Sequence, residues 1–372
     1  MKPEKVYACY SKDKDVRLSS SSGAVFSSLA EYVLNKNGII YGVAMSEDCY
    51  SAEFIAVTDR SELIKLRGSK YLQAKVGDTF KKVKVELQSG KLVLFTGTGC
   101  QVNGLKKFLG KDYENLICMD VICHGAPSPA LWREYAQYQE KKSGGKLKGI
   151  NFRYKDESWI DFGMKGVLED IPEKKKKRLY ISKDKDPYMQ MFLRDYCLRP
   201  ACYECVAKRE KMSDLTVADF WGINDIAPEM NDGLGISLVL IRTQKGKEIF
   251  NYISCKMKLK EVTYEAGVKG NPAEYKSCAR PSQRDTFFDD MHTMSFEELE
   301  GKYAAPIKYS LKTRAKRKVK KIIKKMLRVI GGGQRVIQNM DYSLCFVFDC
   351  KENKKCQNTL ERTASVEKPE LH

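Results

Sequence analysis

KLVLFTGTGCQVNGLKKFLGKDYENLICMDVICHGAPSPALWREYAQYQEKK, residues 91 to 142, divides into four pieces of contrasting texture. KLVLFTG is a short run of apolar, partly β-branched residues, too short for a helix and suited to a strand buried on both faces. CQVNGLKKFLG has apolar residues at helical spacing and stops on Gly110, a helix-ending residue. NLICMDVIC repeats the buried-strand texture, and SPALWREYAQYQEKK opens with Ser-Pro and runs on as a helix. Strand, helix, strand, helix at this spacing implies parallel pairing in an α/β layer structure. In such sheets ligands gather beyond the carboxyl ends of the strands, where TGTGC (96–100) and CHGAPSP (123–129) stand here.

The same alternation extends upstream. KVYACYS and IIYGVAM read as strands, with GAVFSSLAEYVLNKNG as a helix between them and VGDTFKKVKVELQSG as another helix after DRSELIKLRG. Beyond Gly144 and Gly145 the pattern changes to paired strands, LKGINFRYK and WIDFGMKGVLE. A cysteine-rich segment, the strands LTVADFWG and GISLVLIRT, and the helix KGKEIFNYIS follow. The expected architecture is α/β: a mixed sheet with helices in the N-terminal region, then an α+β portion carrying the cysteines, then a basic C-terminal helix. Three regions follow: 1–145, 146–304 and 305–372.

The 372 residues contain 42% hydrophobic residues, enough for a substantial core, and no run approaches the roughly 20 apolar residues needed to cross a bilayer. MKPEKVYACYSKDKD lacks the apolar centre of a secretory signal, so the expected location is the cytoplasm. The net charge of +18 is concentrated in residues 172–185 and 309–328, which weakens a nucleic-acid reading. The first stretch reads as an exposed hairpin tip. The second lies within residues 309–330, which place Leu311, Ala315, Val319, Ile322, Ile323, Met326, Leu327 and Ile330 on one helical face and cations on the other. Such a helix either packs on its own domain or lies at the inner face of a membrane as a peripheral contact.

Thirteen cysteines are many for a reducing compartment. Isolated ones, Cys9, Cys49 and Cys255, read as small buried hydrophobes. Cys197, Cys202 and Cys205 are different: their x4, x2 spacing lets one loop present several thiolates to one centre, with Cys100 and Cys123 as strand-end candidates to complete it. On spacing alone, structural zinc, an iron–sulfur cluster and inert thiols all stay open. The serine run before a helix at 18–34 is either an N-cap or a phosphate cradle. LRGSKYLQ (66–73) and TGTG (96–99) are further loops suited to close backbone approach, yet no full dinucleotide or P-loop motif is present. His124 is a candidate ligand or proton donor or a plain loop residue. Asp219 and Trp221 in ADFWG are candidates to flank an aromatic cofactor, or a turn and a core anchor.

Taken in order, SSSSGAVFSSLAEYVL, LRGSKYLQAKVGDTFKKVK, VLFTGTGCQVNGLKKFLG, VICHGAPSP, FRYKDESW, CLRPACYECVAKREKMSDLTVADFWGI, GLGISLVLIRTQKG and NPAEYKSCARPSQRDTFF resemble one family collinearly from about residue 5 to about 290. It is that of the beta subunits of coenzyme F420-reducing hydrogenases and dehydrogenases, in its bacterial branch. The resemblance implies an iron–sulfur flavoprotein oxidoreductase, with a 4Fe-4S cluster and FAD or FMN, passing electrons to or from a soluble small molecule such as the deazaflavin. It implies cluster ligands among Cys100, Cys123, Cys197, Cys202 and Cys205. It places Ser22, Gly23, Gly68, Ser69, Lys70, Thr96, Gly97 and Thr98 in flavin-wrapping loops, and leaves His124 and Asp219 as candidate catalytic residues. The repeated ferredoxin-type cysteine runs that precede this region in many bacterial relatives are missing, so a separate ferredoxin or ferredoxin-like subunit is the expected electron donor. The family's GTPC reads GTGC here, with Gly99 expected to loosen the turn that presents Cys100. The competing expectation is a non-catalytic, metal-stabilised module that docks a partner enzyme at a membrane surface.

Overall fold

The computed structural model describes residues 2–155, 158–170 and 176–304. β1 (Lys5–Ser11), α1 (Lys14–Leu18), α2 (Val25–Asn35), β2 (Ile39–Met45) and β3 (Ala52–Val57) come first. α3 (Leu63–Leu66), α4 (Thr79–Gln88), β4 (Val93–Thr98), α5 (Gly99–Leu109), β5 (Leu116–Val121) and α6 (Pro129–Ser143) follow. Next are β6 (Gly145–Lys155), β7 (Phe162–Asp170), β8 (Lys176–Ser182), α7 (Pro187–Leu193), β9 (Leu215–Asp219) and α8 (Ile223–Ile226). β10 (Ser237–Ile241), α9 (Gln244–Ser254), β11 (Met257–Glu261), α10 (Tyr264–Val268), α11 (Arg284–Thr293) and α12 (Phe296–Tyr303) complete the order.

Eight strands form one mixed sheet in the order β11-β1-β10-β9-β5-β4-β2-β3, and β6-β7-β8 form a second, antiparallel sheet. The α/β expectation holds. β2, β4, β5 and β9 pair in parallel, and β1 points the same way because two antiparallel pairings separate it from β9. Their carboxyl ends therefore share one edge. The change of texture at Gly144 and Gly145 marks the end of α6 and the start of the small sheet. Residues beyond it also return to the large sheet as β9, β10 and β11, and residues 1–307 form one compact unit. Of the stretch 172–185, expected as a hairpin tip, Lys176–Ser182 form strand β8 paired to β7 instead; residues 171–175 and the basic segment 309–330 lie outside the described residues.

Alternation along each strand assigns the faces. Leu29 and Val33 of α2 and Phe250 and Ile253 of α9 pack with Cys9, Ile40, Leu94, Ile117 and Val239 on one face. Val83, Val102 and Leu105 of α4 and α5 cover Tyr41, Val93, Phe95 and Cys118 on the other. A separate core joins α6, α7, α11 and α12 to the small sheet around Trp132, Tyr188, Phe152 and Phe287, all at most 1% exposed.

The parallel contact of β5 with β9 spans three pairs, from Met119 opposite Leu215 to Val121 opposite Val217. Asp214 reinforces it. Its Oδ2 accepts from the Cys118 N–H at 2.8 Å, its own N–H donates to the Cys118 carbonyl at 2.8 Å, and its Oδ1 accepts from the Thr243 hydroxyl at 2.7 Å. Beside it lies a buried polar set: Ser213 donates to Asp120, and Arg242 bonds Thr216 through Nε and Glu274 through a terminal nitrogen.

The two outer strands differ from the interior. β11 reads MKLKE and exposes Lys258, Lys260 and Glu261, while Lys75 bridges the backbone of β3 on its outer side. Neither outer strand, nor α10, α11 and α12, was anticipated, because none carries a long periodic pattern.

Trp132 fills the second core, and its Nε1 donates to the Cys49 carbonyl at 2.8 Å. Trp132→Ala should cost about 4 kcal/mol in denaturant unfolding. Asp186 caps α7 through the Met189 N–H and accepts from the Tyr135 hydroxyl at 2.6 Å, and complete burial pushes its carboxyl up to about 7. A carboxyl raised in the folded state favours folding while protonated, so its contribution is present at low pH and is lost as pH rises from the ordinary carboxylate range through about 7. Asp186→Asn should remove that slope from the stability-against-pH curve; an unchanged slope would overturn the assignment.

Candidate functional site

The shared carboxyl edge collects the chemistry. Thr98 ends β4 and precedes Cys100 in the first turn of α5, and Cys123 and His124 follow β5. Cys202 and Cys205 flank short 3₁₀ turns between α7 and β9. Burial pushes the Cys123 thiol up to about 12; Lys208 opposes this, while Cys100, Cys202 and Cys205 each push it further up. Burial also raises the Cys202 thiol, and Cys100 and Cys205 add to it. Thiols from three distant segments thus lie near enough to act on Cys123. The Ala126 N–H points at Cys202 Sγ at 3.3 Å, the Thr98 hydroxyl lies 3.2 Å from Cys100 Sγ, and the Ser277 hydroxyl accepts from the Cys205 N–H at 3.0 Å.

Cys197 stands apart. It is 0% exposed inside the aromatic core with Tyr188, against which Cys202 and Cys278 also pack, and burial pushes its thiol up to about 12. Its chain instead hydrogen-bonds alongside residues 126–128: Ser128 N–H to the Cys197 carbonyl, and Arg199 N–H to the Ala126 carbonyl. Sequence reasoning passed over Cys278. This half-buried thiol lies 3.6 Å from the His124 carbonyl oxygen and 3.9 Å from that of Cys202. Nothing in its local spacing distinguishes it, and only the fold brings the segment around residues 271–278 across the strand ends. Lys208 secures that segment by donating to the carbonyls of both Cys123 and Ala273. Cys255, expected to be buried, is exposed at the end of α9, because its position follows the last apolar contact of that helix.

Among the described residues no three Cys, His, Asp or Glu side chains close in on a single point as one metal ion requires. Zinc demands such a point, with sulfurs about 2.3 Å from the ion. An iron–sulfur group held by cysteine thiolates would not require the sulfurs to meet at one point.

Gly99 does not loosen its turn. It is buried at the first position of α5, where an added Cβ would lie 3.0 Å from an Asp120 carboxylate oxygen and 3.1 Å from the Ala207 Cβ. Gln101 Oε1 accepts from both the Thr98 N–H and its hydroxyl, fixing the start of the helix. His124 Nε2 meets Asp195 Oδ1 at 2.6 Å, with its ring edge-on to Phe192. Asp219 pairs with the buried Arg153, and Trp221 stacks on Trp159 at 5.2 Å.

The serine run is not a helix cap, since Ala24 occupies that position in the left-handed region without a side-chain bond. Its hydroxyls are spent elsewhere. Ser22 donates to the Ile236 carbonyl at 2.7 Å, Ser20 donates to that of Val16, and Ser21 receives the Ser69 N–H at 3.1 Å. Gly23 is required by packing: a Cβ there would sit 2.4 Å from the Cys9 carbonyl. Lys70 donates to the carbonyls of Lys65 and Arg67, and burial pushes it down to about 7. Ser19, Ser20, Ser21 and Gly68 line a cavity of about 170 Å³ together with Arg153 and Lys155. Thr96, Gly97 and Thr98 stand at the end of β4 and are not part of its lining.

Two family models match the chain: the N-terminal part of coenzyme F420 hydrogenase/dehydrogenase beta subunits over residues 6–81, and the C-terminal part over residues 90–266. The chain belongs to this family. The coenzyme F420-dependent sulfite reductase of Methanocaldococcus jannaschii is 24% identical over 258 residues, covering 68% of this chain and 38% of that protein, so this member spans well under half of that relative's length. A chain of the xenon-derivatised F420-reducing [NiFe] hydrogenase complex from Methanosarcina barkeri aligns with a TM-score of 0.45 and 16% identity, over 70% of this chain and 82% of its own. No described helix of this family member is long and apolar enough to cross a membrane.

The grouping of thiols predicts a sharp division among cysteine variants. Cys197→Ala should keep iron and sulfide near wild-type levels after anaerobic reconstitution, whereas Cys100→Ala, Cys123→Ala, Cys202→Ala and Cys205→Ala should each lose most of both. Equal loss at Cys197 would overturn the grouping.

Proposed function

We propose that this chain is an oxidoreductase that passes electrons between an iron–sulfur cluster and a flavin, and through the flavin to a soluble acceptor or donor of the coenzyme F420 type or another small molecule. The observation that carries this reading is the convergence of Cys100, Cys123, Cys202 and Cys205 at the carboxyl edge of the sheet in a member of this family. The residues fit the group. Four thiols suit a 4Fe-4S centre, which when bound would supply one-electron transfer, as the flavin would supply hydride exchange.

The chain's own share is positioning and charge. The sheet edge holds Cys100 and Cys123 in place, and the 3₁₀ turns present Cys202 and Cys205 opposite them. The Ala126 N–H and the Lys208 ammonium place positive charge beside the sulfurs, favouring the thiolate form and a more reduced centre. Cys100 is exposed, so the set opens to the surface where an electron-carrying partner, a ferredoxin or ferredoxin-like subunit, can approach. The loops proposed to wrap the flavin are those of Ser22, Gly23, Gly68, Ser69 and Lys70, where the Ser69 N–H donates to Ser21 and ties the two loops together.

The test is anaerobic purification and reconstitution with iron, sulfide and flavin, followed by visible spectroscopy and metal analysis. The expected result is about four irons and four sulfides, with one flavin per chain, and a cluster absorbance that bleaches on reduction. Stoichiometric zinc with no flavin would replace this reading with the metal-stabilised docking module.

A further inference from the structure

Cys278 is a fifth thiol beside a set of four. It is half-buried in the segment that follows α10 and crosses the strand ends, and residues 276–281 of that segment belong to no helix or strand. The crossing is held by its neighbours. The Ser277 hydroxyl accepts from the Cys205 N–H at 3.0 Å, and Lys208 donates to the carbonyls of Cys123 and Ala273. None of these bonds uses the Cys278 side chain, and the cluster proposed above takes four thiolates without it.

The surroundings of Cys278 direct it to one partner. Its Sγ lies 3.6 Å from the His124 carbonyl oxygen and 3.9 Å from that of Cys202. Cys202 Sγ faces the same stretch two residues on, where the Ala126 N–H meets it at 3.3 Å. Both sulfurs therefore stand against residues 124–126. Burial pushes the Cys278 thiol up to about 11; Asp195 and Cys202 add to this, and Lys208 opposes it. Cys202 and Cys278 are both free thiols. Side-chain rotation and a small shift of the irregular segment suffice to bring the two sulfurs to the bonding distance of about 2.0 Å.

We infer that Cys278 is a reserve thiol that joins Cys202 in a reversible disulfide whenever Cys202 holds no iron, guarding that ligand against irreversible oxidation. The oxidant is a low-molecular-weight disulfide such as oxidised glutathione. One protein thiolate attacks it, forming a mixed disulfide and releasing one glutathione thiolate; the second protein thiolate then displaces the other glutathione. Two protein thiols are oxidised, one glutathione disulfide is reduced, and the two thiol protons pass to the departing thiolates. An unprotected Cys202 thiolate would instead run on under peroxide to the sulfinic acid, which thiols do not reverse. The link also ties points 76 residues apart, keeping the crossing segment in place when no metal is bound. The disulfide stands on the two thiols alone; its bearing on iron loading rests on the function proposed above.

The test uses the full chain, stripped of iron by a chelator under reductant, exposed to oxidised glutathione, and read by thiol titration and non-reducing peptide mapping. The wild type should lose about two titratable thiols and yield a peptide linked through Cys202 and Cys278. Cys205→Ser should keep the link, Cys202→Ser and Cys278→Ser should lack it, and the iron-loaded chain should resist the treatment. The oxidised wild type should take up little iron until dithiothreitol opens the link. After equal exposure to hydrogen peroxide and then dithiothreitol, Cys278→Ser should recover severalfold less iron than the wild type. The wild-type linkage map decides the pairing without any variant: no thiol loss, or Cys202 linked to Cys100, Cys123 or Cys205 instead, overturns the inference. Equal recovery after peroxide overturns the protective role. A freshly reduced Cys278→Ser that is folded by circular dichroism yet takes up no iron also overturns it, by making Cys278 a ligand. A wild type that forms the link but never loads iron keeps the disulfide and defeats the cluster reading.

Discussion

A three-residue parallel contact between β5 and β9 holds the molecule's chemistry together. The strands are nearly a hundred residues apart in the chain, and everything between them must leave the sheet and return. Without that return, Cys100 and Cys123 would sit on one lobe and Cys202 and Cys205 on another. So short a ladder is weak by itself, and Asp214 compensates by bonding both backbone groups of Cys118 while tying down Thr243. The buried Asp120, Ser213, Thr216, Arg242 and Glu274 continue the same stitch outward to the segment that crosses the cysteines. Polar networks in a core are expensive unless fully bonded, and here the bonding fixes the alignment of strands that hydrophobic contact alone would leave free to slide.

The cavity and the thiol set share this logic. Both lie where loops from independent strands meet at one edge, as open α/β sheets favour. The small sheet supplies one wall of the cavity, and the segment around residues 271–278 covers the thiols. Neither is complete in any contiguous stretch of sequence.

That explains what could be read beforehand. The interior strands and long helices were legible because each carries its periodicity locally: VYACYS, IIYGVAM and LVLFT are apolar enough to name themselves, and α2, α5, α6 and α9 have clear faces. Strands β3 and β11 were not: β11, MKLKE, alternates charge like any polar segment, and β3, AEFIAV, is too short to show a clear period. The thiols at the strand ends were legible as candidates, but Cys197 could be separated from Cys202 and Cys205 only once its side chain was seen inside the aromatic core. Cys278 and the β6 wall of Arg153 and Lys155 carry no spacing signal, since most of their partners lie 66 to 154 residues away. Gly99 shows the converse error: a missing proline suggested slackness, but the Asp120 carboxylate and the Ala207 methyl crowd the position closely.

The two outer strands carry a further consequence for assembly. A bare sheet edge invites another chain to add a strand, yet β11 presents lysines along its length and β3 is occupied by the backbone at Lys75. Growth of the sheet into a larger one is thereby discouraged at both ends. A chain that binds here would have to meet it through side chains on its faces and loops rather than by backbone pairing.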